Sequence, residues 1–90
     1  MMLKTSIAEY MTAAREVMLP GEIYQDMVDR RMIPTCPTTI TDSAMDAIYY
    51  RVTGDQEASE KAFKKAAAHK SQWGDPEVRA CWLRGVLDTI

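Results

Sequence analysis

Apolar residues recur along this chain at three- and four-residue intervals, in short runs that capping residues, glycines and prolines bring to an end. Ile7, Tyr10, Met11, Ala14, Val17 and Met18 make the first run. That spacing gathers them on one face of a helix. Ser6 and Glu9 stand in the S-x-x-E arrangement of a capping box, which predicts a helix start at Ser6. Pro20-Gly21 interrupts this helix and opens a second over residues 20–32. Its stripe is Ile23, Tyr24, Met27, Val28 and Met32, and Pro34 ends it.

Residues 33–41 contain two prolines and are otherwise mostly β-branched. Each proline holds its predecessor in extended geometry, so this stretch reads as a linker or a short extended piece, the one place that suits a strand. A third helix starts near Thr41 or Ser43 and buries Ala44, Ile48, Tyr49 and Val52. Gly54 fits the left-handed position that closes it. Asp55 caps a fourth helix over 55–72, with a stripe of Ala58, Ala62, Phe63 and Ala66, ending near Trp73-Gly74. Glu57–Lys61 and Glu60–Lys64 both have the favoured acid-before-base order at i, i+4. Asp75 and Pro76 supply an N-cap and a first-turn proline for a fifth helix, with Val78, Cys81, Trp82, Val86 and Ile90 on one face. The prediction is an all-α fold, a compact bundle of four to five short helices in one domain over residues 1–90, with one short extended segment at 33–41.

Composition narrows the function more than it names one. The chain is 47% hydrophobic with a formal charge of −2, which is globular and not disordered. That charge gives the whole molecule no attraction for nucleic acid or membrane. The apolar runs are too short to span a bilayer, and no basic-then-apolar signal opens the chain, so a soluble cytoplasmic protein is expected. Cys36 and Cys81 lack CxxC spacing and are remote from the single histidine, His69. They read as free thiols of a reducing compartment, not as metal ligands, and whether they pair depends on geometry.

No nucleophile elbow, P-loop or glycine-rich phosphate cradle occurs. His69 reads as a solvated residue near a helix C-terminus, and Asp42 and Asp46 as acids expected near a helix start. No enzyme, cofactor or small-molecule ligand is expected. Gly85 marks either a close helix crossing or a tolerated surface position.

Charge and aromatic content carry the remaining signal. Residues 1–60 hold ten acids and five bases, whereas 61–90 hold six bases and three acids. Lys61, Lys64, Lys65 and Lys70 lie together in the fourth helix. Seven methionines, four tyrosines and two tryptophans are many for 90 residues. Such side chains fill cores, but they also dominate binding hot spots. Tyr49 and Tyr50 cannot both face the core from one helix. Tyr24, Tyr50 and Trp73 are the aromatics expected to reach a partner.

These features point to a small non-enzymatic binding or regulatory protein. It would act by docking on another protein, as an inhibitor or accessory protein of the kind phages encode, or by forming a homodimer. Nucleic acid is the alternative partner. The segment Glu22–Pro34, a periodic helix with Arg30 and Arg31 at its end and an Ile-Pro exit, resembles the end of the recognition helix in excisionase-type and MerR-type winged-helix proteins. The resemblance covers about thirty residues and implies a helix-turn-helix DNA-binding regulator with the first helix as support. It departs from that pattern in Glu22, Asp26 and Asp29, which phosphates repel, and in having no wing beyond Thr38–Thr41. The helix over 55–72, with Lys64 and Lys65, is the second candidate for a nucleic-acid contact.

Overall fold

Residues 4–68 and 74–90 are described by the computed structural model, and they form five helices. These are α1 (Lys4–Ala14), α2 (Pro20–Asp29), α3 (Asp42–Thr53), α4 (Gln56–Ala67) and α5 (Pro76–Thr89). The fold is an all-α bundle. No strand occurs among the described residues, and 33–41 is an irregular linker with bends at Ile33, Pro37 and Thr38.

Local chemistry accounts for most boundaries. Thr41, Asp55 and Asp75 each accept a hydrogen bond from a first-turn amide, at Ala44, Ala58 and Glu77 respectively. α2 begins at Pro20, and the Glu22 carboxylate accepts from the Leu19 N–H at 2.9 Å. α3 closes on Gly54 at φ 92°.

Helix α3 is the hub and packs against each of the other four. Its face toward α4 is made of small residues. Ala44 and Ala47 are fully buried, and the buried Ser59 of α4 donates its hydroxyl to the Ala47 carbonyl at 2.8 Å. A hydroxyl buried this way costs little because it has a partner. Ile7 and Met11 of α1, Ile23 and Met27 of α2, Met45 and Ile48 of α3, and Leu83 and Val86 of α5 complete the core. The radius of gyration is 11.8 Å, against about 12 Å for a folded chain of this length.

Several sequence expectations are corrected. α1 already includes Lys4 and Thr5, so Ser6 lies inside the helix and does not cap it. No breaker precedes Ser6, and nothing stops the helix there. α1 also ends at Ala14, not at Met18. The chain then tightens into turns, with Val17 N–H donating to the Ala14 carbonyl at 3.1 Å, and Val17 is 81% exposed. α2 ends at Asp29, three residues before Met32. α4 ends at Ala67, with Ala68 as its cap, and not at 72. His69, Lys70 and Trp73 lie outside the described residues.

The buried face of α5 is rotated from the expected one. Cys81 is exposed, and the buried positions are Arg79, Leu83, Val86 and Leu87. They have helical spacing, but the series begins with a charge, which hides it. Arg79 is fully buried, and its Nε and Nη1 donate to the Thr39 carbonyl at 2.9 Å and the Ala66 carbonyl at 3.0 Å. It thereby satisfies a last-turn carbonyl of α4 and ties the linker to both helices. Arg51 does the same for α5, its Nε donating to the Leu87 carbonyl at 3.2 Å. Glu60 pairs with Arg84 in two bonds of 3.0 and 3.1 Å instead of with Lys64, because a fork of two donors suits a carboxylate better than one ammonium. Gly85 is exposed, with nothing within 4 Å of where a Cβ would stand, so it is a surface glycine and marks no close crossing.

Candidate functional site

The linker leaves α2 through a motif that glycine normally fills. Arg31 adopts φ 59°, the left-handed region. Its N–H donates to the Val28 carbonyl at 3.0 Å, and the Met32 N–H donates to the Met27 carbonyl at 2.8 Å. This pair of bonds is the Schellman closure of a helix. Met27 and Met32 are both buried in the core, which anchors the turn. Pro34 then holds Ile33 extended.

The linker is pinned from outside by side chains. The Tyr24 hydroxyl accepts from the Cys36 N–H at 2.8 Å, and Trp82 Nε1 donates to the Pro34 carbonyl at 3.1 Å. The Tyr24 and Trp82 rings meet edge-on at 6.1 Å. Thr38 Oγ1 accepts from the Asp75 N–H at 3.0 Å. Cys36 is a free, buried cysteine, and its burial pushes the thiol above its ordinary pKa. Tyr24, expected to meet a partner, is half-buried and spends its hydroxyl on the linker.

Where α2 gives way to the linker, Val28, Arg31, Ile33, Pro34 and Thr35 line an open concavity of about 420 Å³. Ile33 is buried and Val28 half-buried, while Arg31, Pro34 and Thr35 are exposed. Thr35 makes no hydrogen bond through its backbone N–H or C=O among the described residues.

Arg30 and Arg31 have different surroundings. Arg30 Nε pairs with Asp26 at 3.0 Å, and its guanidinium lies 5.4 Å from the Tyr10 ring centre. Asp26 also accepts from the Tyr10 hydroxyl. Those two bonds hold the Asp26 carboxyl below the usual carboxylate range. Burial, then the bond and charge of Asp26, push the Tyr10 phenol up to about 12. Arg31 has no carboxylate within ion-pair distance among the described residues. Its charge is available to a ligand, and that of Arg30 is already matched.

The other expected site residues sit elsewhere. Tyr50 is half-buried on α3, its ring 5.6 Å from that of Tyr49, which in turn carries the Arg15 guanidinium at 4.2 Å. Lys61, Lys64 and Lys65 are exposed on α4, with no carboxylate within ion-pair distance among the described residues. Trp73 lies outside the described residues. Of the expected residues, then, the α2 exit carries Arg31 and its neighbour Arg30, Tyr24 holds the linker beyond it through its hydroxyl, and Tyr50, Lys64 and Lys65 lie outside it. Val28, Ile33, Pro34 and Thr35 were not expected as site residues.

Comparison with protein-family models, with curated proteins and with solved structures gives no match. Among the described residues, no helix is long and apolar enough to cross a membrane, and no group of three or more His, Cys, Asp or Glu stands close enough to hold a metal ion.

Proposed function

We propose that this chain is a small non-enzymatic docking protein and that the exit of α2 is its docking surface. The observation that carries this reading is the concavity of Val28, Arg31, Ile33, Pro34 and Thr35, which combines an apolar lining with an unmatched guanidinium. Docking surfaces commonly join an apolar centre to a polar rim. Val17 and Leu19, 81% and 70% exposed in the α1–α2 turn, add apolar surface that the bundle does not cover. The non-enzymatic part rests on how the perturbed groups are used. Asp26 and Glu60 are each shifted chiefly by a hydrogen-bonded partner on another helix, and Tyr10 and Cys36 chiefly by burial. Two free cysteines suit a reducing compartment, and the cytoplasm is the proposed location.

The test is capture from a lysate of the native host, with and without nuclease treatment, using the full chain, Arg31→Glu and the double variant Lys64→Glu/Lys65→Glu. A protein partner retained by the lysine variant and lost with Arg31→Glu supports docking at the α2 exit. Loss of every partner on nuclease treatment overturns it.

A second reading is supported by the bare lysines of α4. Lys61, Lys64 and Lys65 present three exposed charges on a short stretch of helix, none of them in an ion pair among the described residues, which suits a phosphate-binding surface. The exposed side of α2 is a poorer candidate, since Glu22 and Asp29 are exposed there and Arg30 is paired with Asp26. A gel-shift titration in rising salt tests it. Duplex binding that the lysine double variant abolishes and Arg31→Glu leaves intact would establish this reading over docking.

A further inference from the structure

Two positions in this chain solve the same backbone problem, and only one uses the residue suited to it. Gly54 closes α3 at φ 92°, and Arg31 closes α2 at φ 59° with the same pattern of hydrogen bonds. A left-handed arginine is strained where glycine is not. Strain of this kind points to a role for the side chain itself. The Arg31 side chain is exposed, matched by no carboxylate among the described residues, and stands on the rim of the apolar concavity at this exit.

The neighbouring backbone adds an independent feature. Thr35 is exposed, lies in the linker directly after Pro34 and leaves both of its backbone hydrogen-bonding groups open among the described residues. An extended peptide laid alongside exchanges two bonds with such a residue. In an extended peptide, residues two positions apart point to the same side, about 7 Å from each other. One can then meet the guanidinium while the other enters the concavity.

We infer that the α2 exit binds an extended internal segment of a protein partner, in which an Asp or Glu lies two positions from a bulky apolar residue. The carboxylate pairs with Arg31, the apolar side chain rests against Val28, Ile33 and Pro34, and the peptide backbone pairs with Thr35. This rests on the docking reading above and gives it a ligand chemistry.

The test uses an array of octapeptides, blocked at both ends, in a Ser/Thr/Gly background. An acidic and a bulky apolar residue are placed at every mutual spacing, with Gln-for-Glu, Ser-for-apolar and free C-terminal carboxylate controls. It is probed with the full chain, with Arg31→Gly and with Arg31→Lys. Arg31→Gly suits the left-handed turn, so circular dichroism should show it folded. The expected result is selective binding at the two-residue spacing, weakened about tenfold by Arg31→Gly and partly restored by Arg31→Lys. Binding that ignores the acidic residue or survives Arg31→Gly unchanged overturns the inference and leaves docking standing. Binding that requires a free C-terminal carboxylate overturns the choice of an internal segment. Failure of every peptide to bind above the Ser/Thr/Gly background overturns both the inference and the docking surface it rests on.

Discussion

Arg31 and Gly54 occupy equivalent positions in two copies of one helix-closing motif. At Gly54 the bonds run from its N–H to the Arg51 carbonyl at 3.3 Å and from the Asp55 N–H to the Tyr50 carbonyl at 2.8 Å. At Arg31 they run to Val28 and from Met32 to Met27. Only the side chain at the left-handed residue differs. Arg31→Gly should therefore stabilise the fold by about 1 kcal/mol, and Gly54→Ala should destabilise it by a similar amount. Urea unfolding checks both, as shifts of midpoint in opposite directions with unchanged slope.

A pair of glycines separates space from backbone conformation. Gly85 lies in α5 with nothing within 4 Å of the place a Cβ would take and no positive φ. Gly85→Ala should raise stability by about 1 kcal/mol. Gly74 has φ 93°, and a Cβ there would stand 2.9 Å from the Thr39 N and closer still to Thr38 Oγ1. Gly74→Ala should lower stability by more than Gly85→Ala raises it, since both the backbone and the linker must give way. Thermal melts of the two variants beside the parent chain measure the contrast.

What the sequence made legible was local. Thr41, Asp55, Asp75 and Gly54 act within four residues of themselves, so their caps could be read from the chain. Arg79 and Ser59 could not, because the carbonyls they satisfy belong to other elements, and periodicity discounts a polar residue in a buried stripe. The α2 exit was half-legible. Pro34 marked the end of the helix, and the five-residue spacing of Met27 and Met32 is the apolar signature of the closing motif. Arginine in place of glycine at position 31 hid it. The concavity was not legible at all, since a helix end and a pinned linker enclose it only once Tyr24 and Trp82 hold the linker in place.

Burial of the Tyr10 phenol and its bond to Asp26 make stability depend on pH at both ends of the scale. The folded phenol holds its proton up to about 12, against 10.0 for an unperturbed tyrosine. Its contribution is therefore complete below pH 10 and is lost as pH rises toward about 12. The Asp26 carboxyl is held below its ordinary 3.8, so its contribution is present above that value and is lost as pH falls beneath it. The difference in melting temperature between the parent chain and Tyr10→Phe should stay constant between about pH 5 and 9 and shrink in both flanking ranges. An unchanged difference at about pH 11 would show that the fold does not hold the phenol's proton beyond its ordinary range.

Arg79 and Arg84, both on α5, predict opposite outcomes for one kind of substitution. Arg84 lies over the Phe63 ring at 4.1 Å and pairs with Glu60, but both partners are two-fifths exposed or more. Water and counterions replace most of what such a pair supplies, so Arg84→Leu should cost little. Arg79 is fully buried, and its donors reach carbonyls on the linker and on the last turn of α4. Leucine in its place offers neither carbonyl a donor and excludes the water that would otherwise serve. One buried acceptor at Ala66 and one part-buried acceptor at Thr39, at about 1–3 kcal/mol for each acceptor left unsatisfied, imply a loss of about 3 kcal/mol for Arg79→Leu. The loss should be local before it is global. Thr39 is one of the linker's attachments to α5, beside the Trp82–Pro34 bond, so hydrogen exchange should quicken first over residues 33–41, and binding at the α2 exit should weaken in a variant still largely folded by circular dichroism. Equal stability of the two variants would mean that water satisfies Thr39 and Ala66 as well as the guanidinium does.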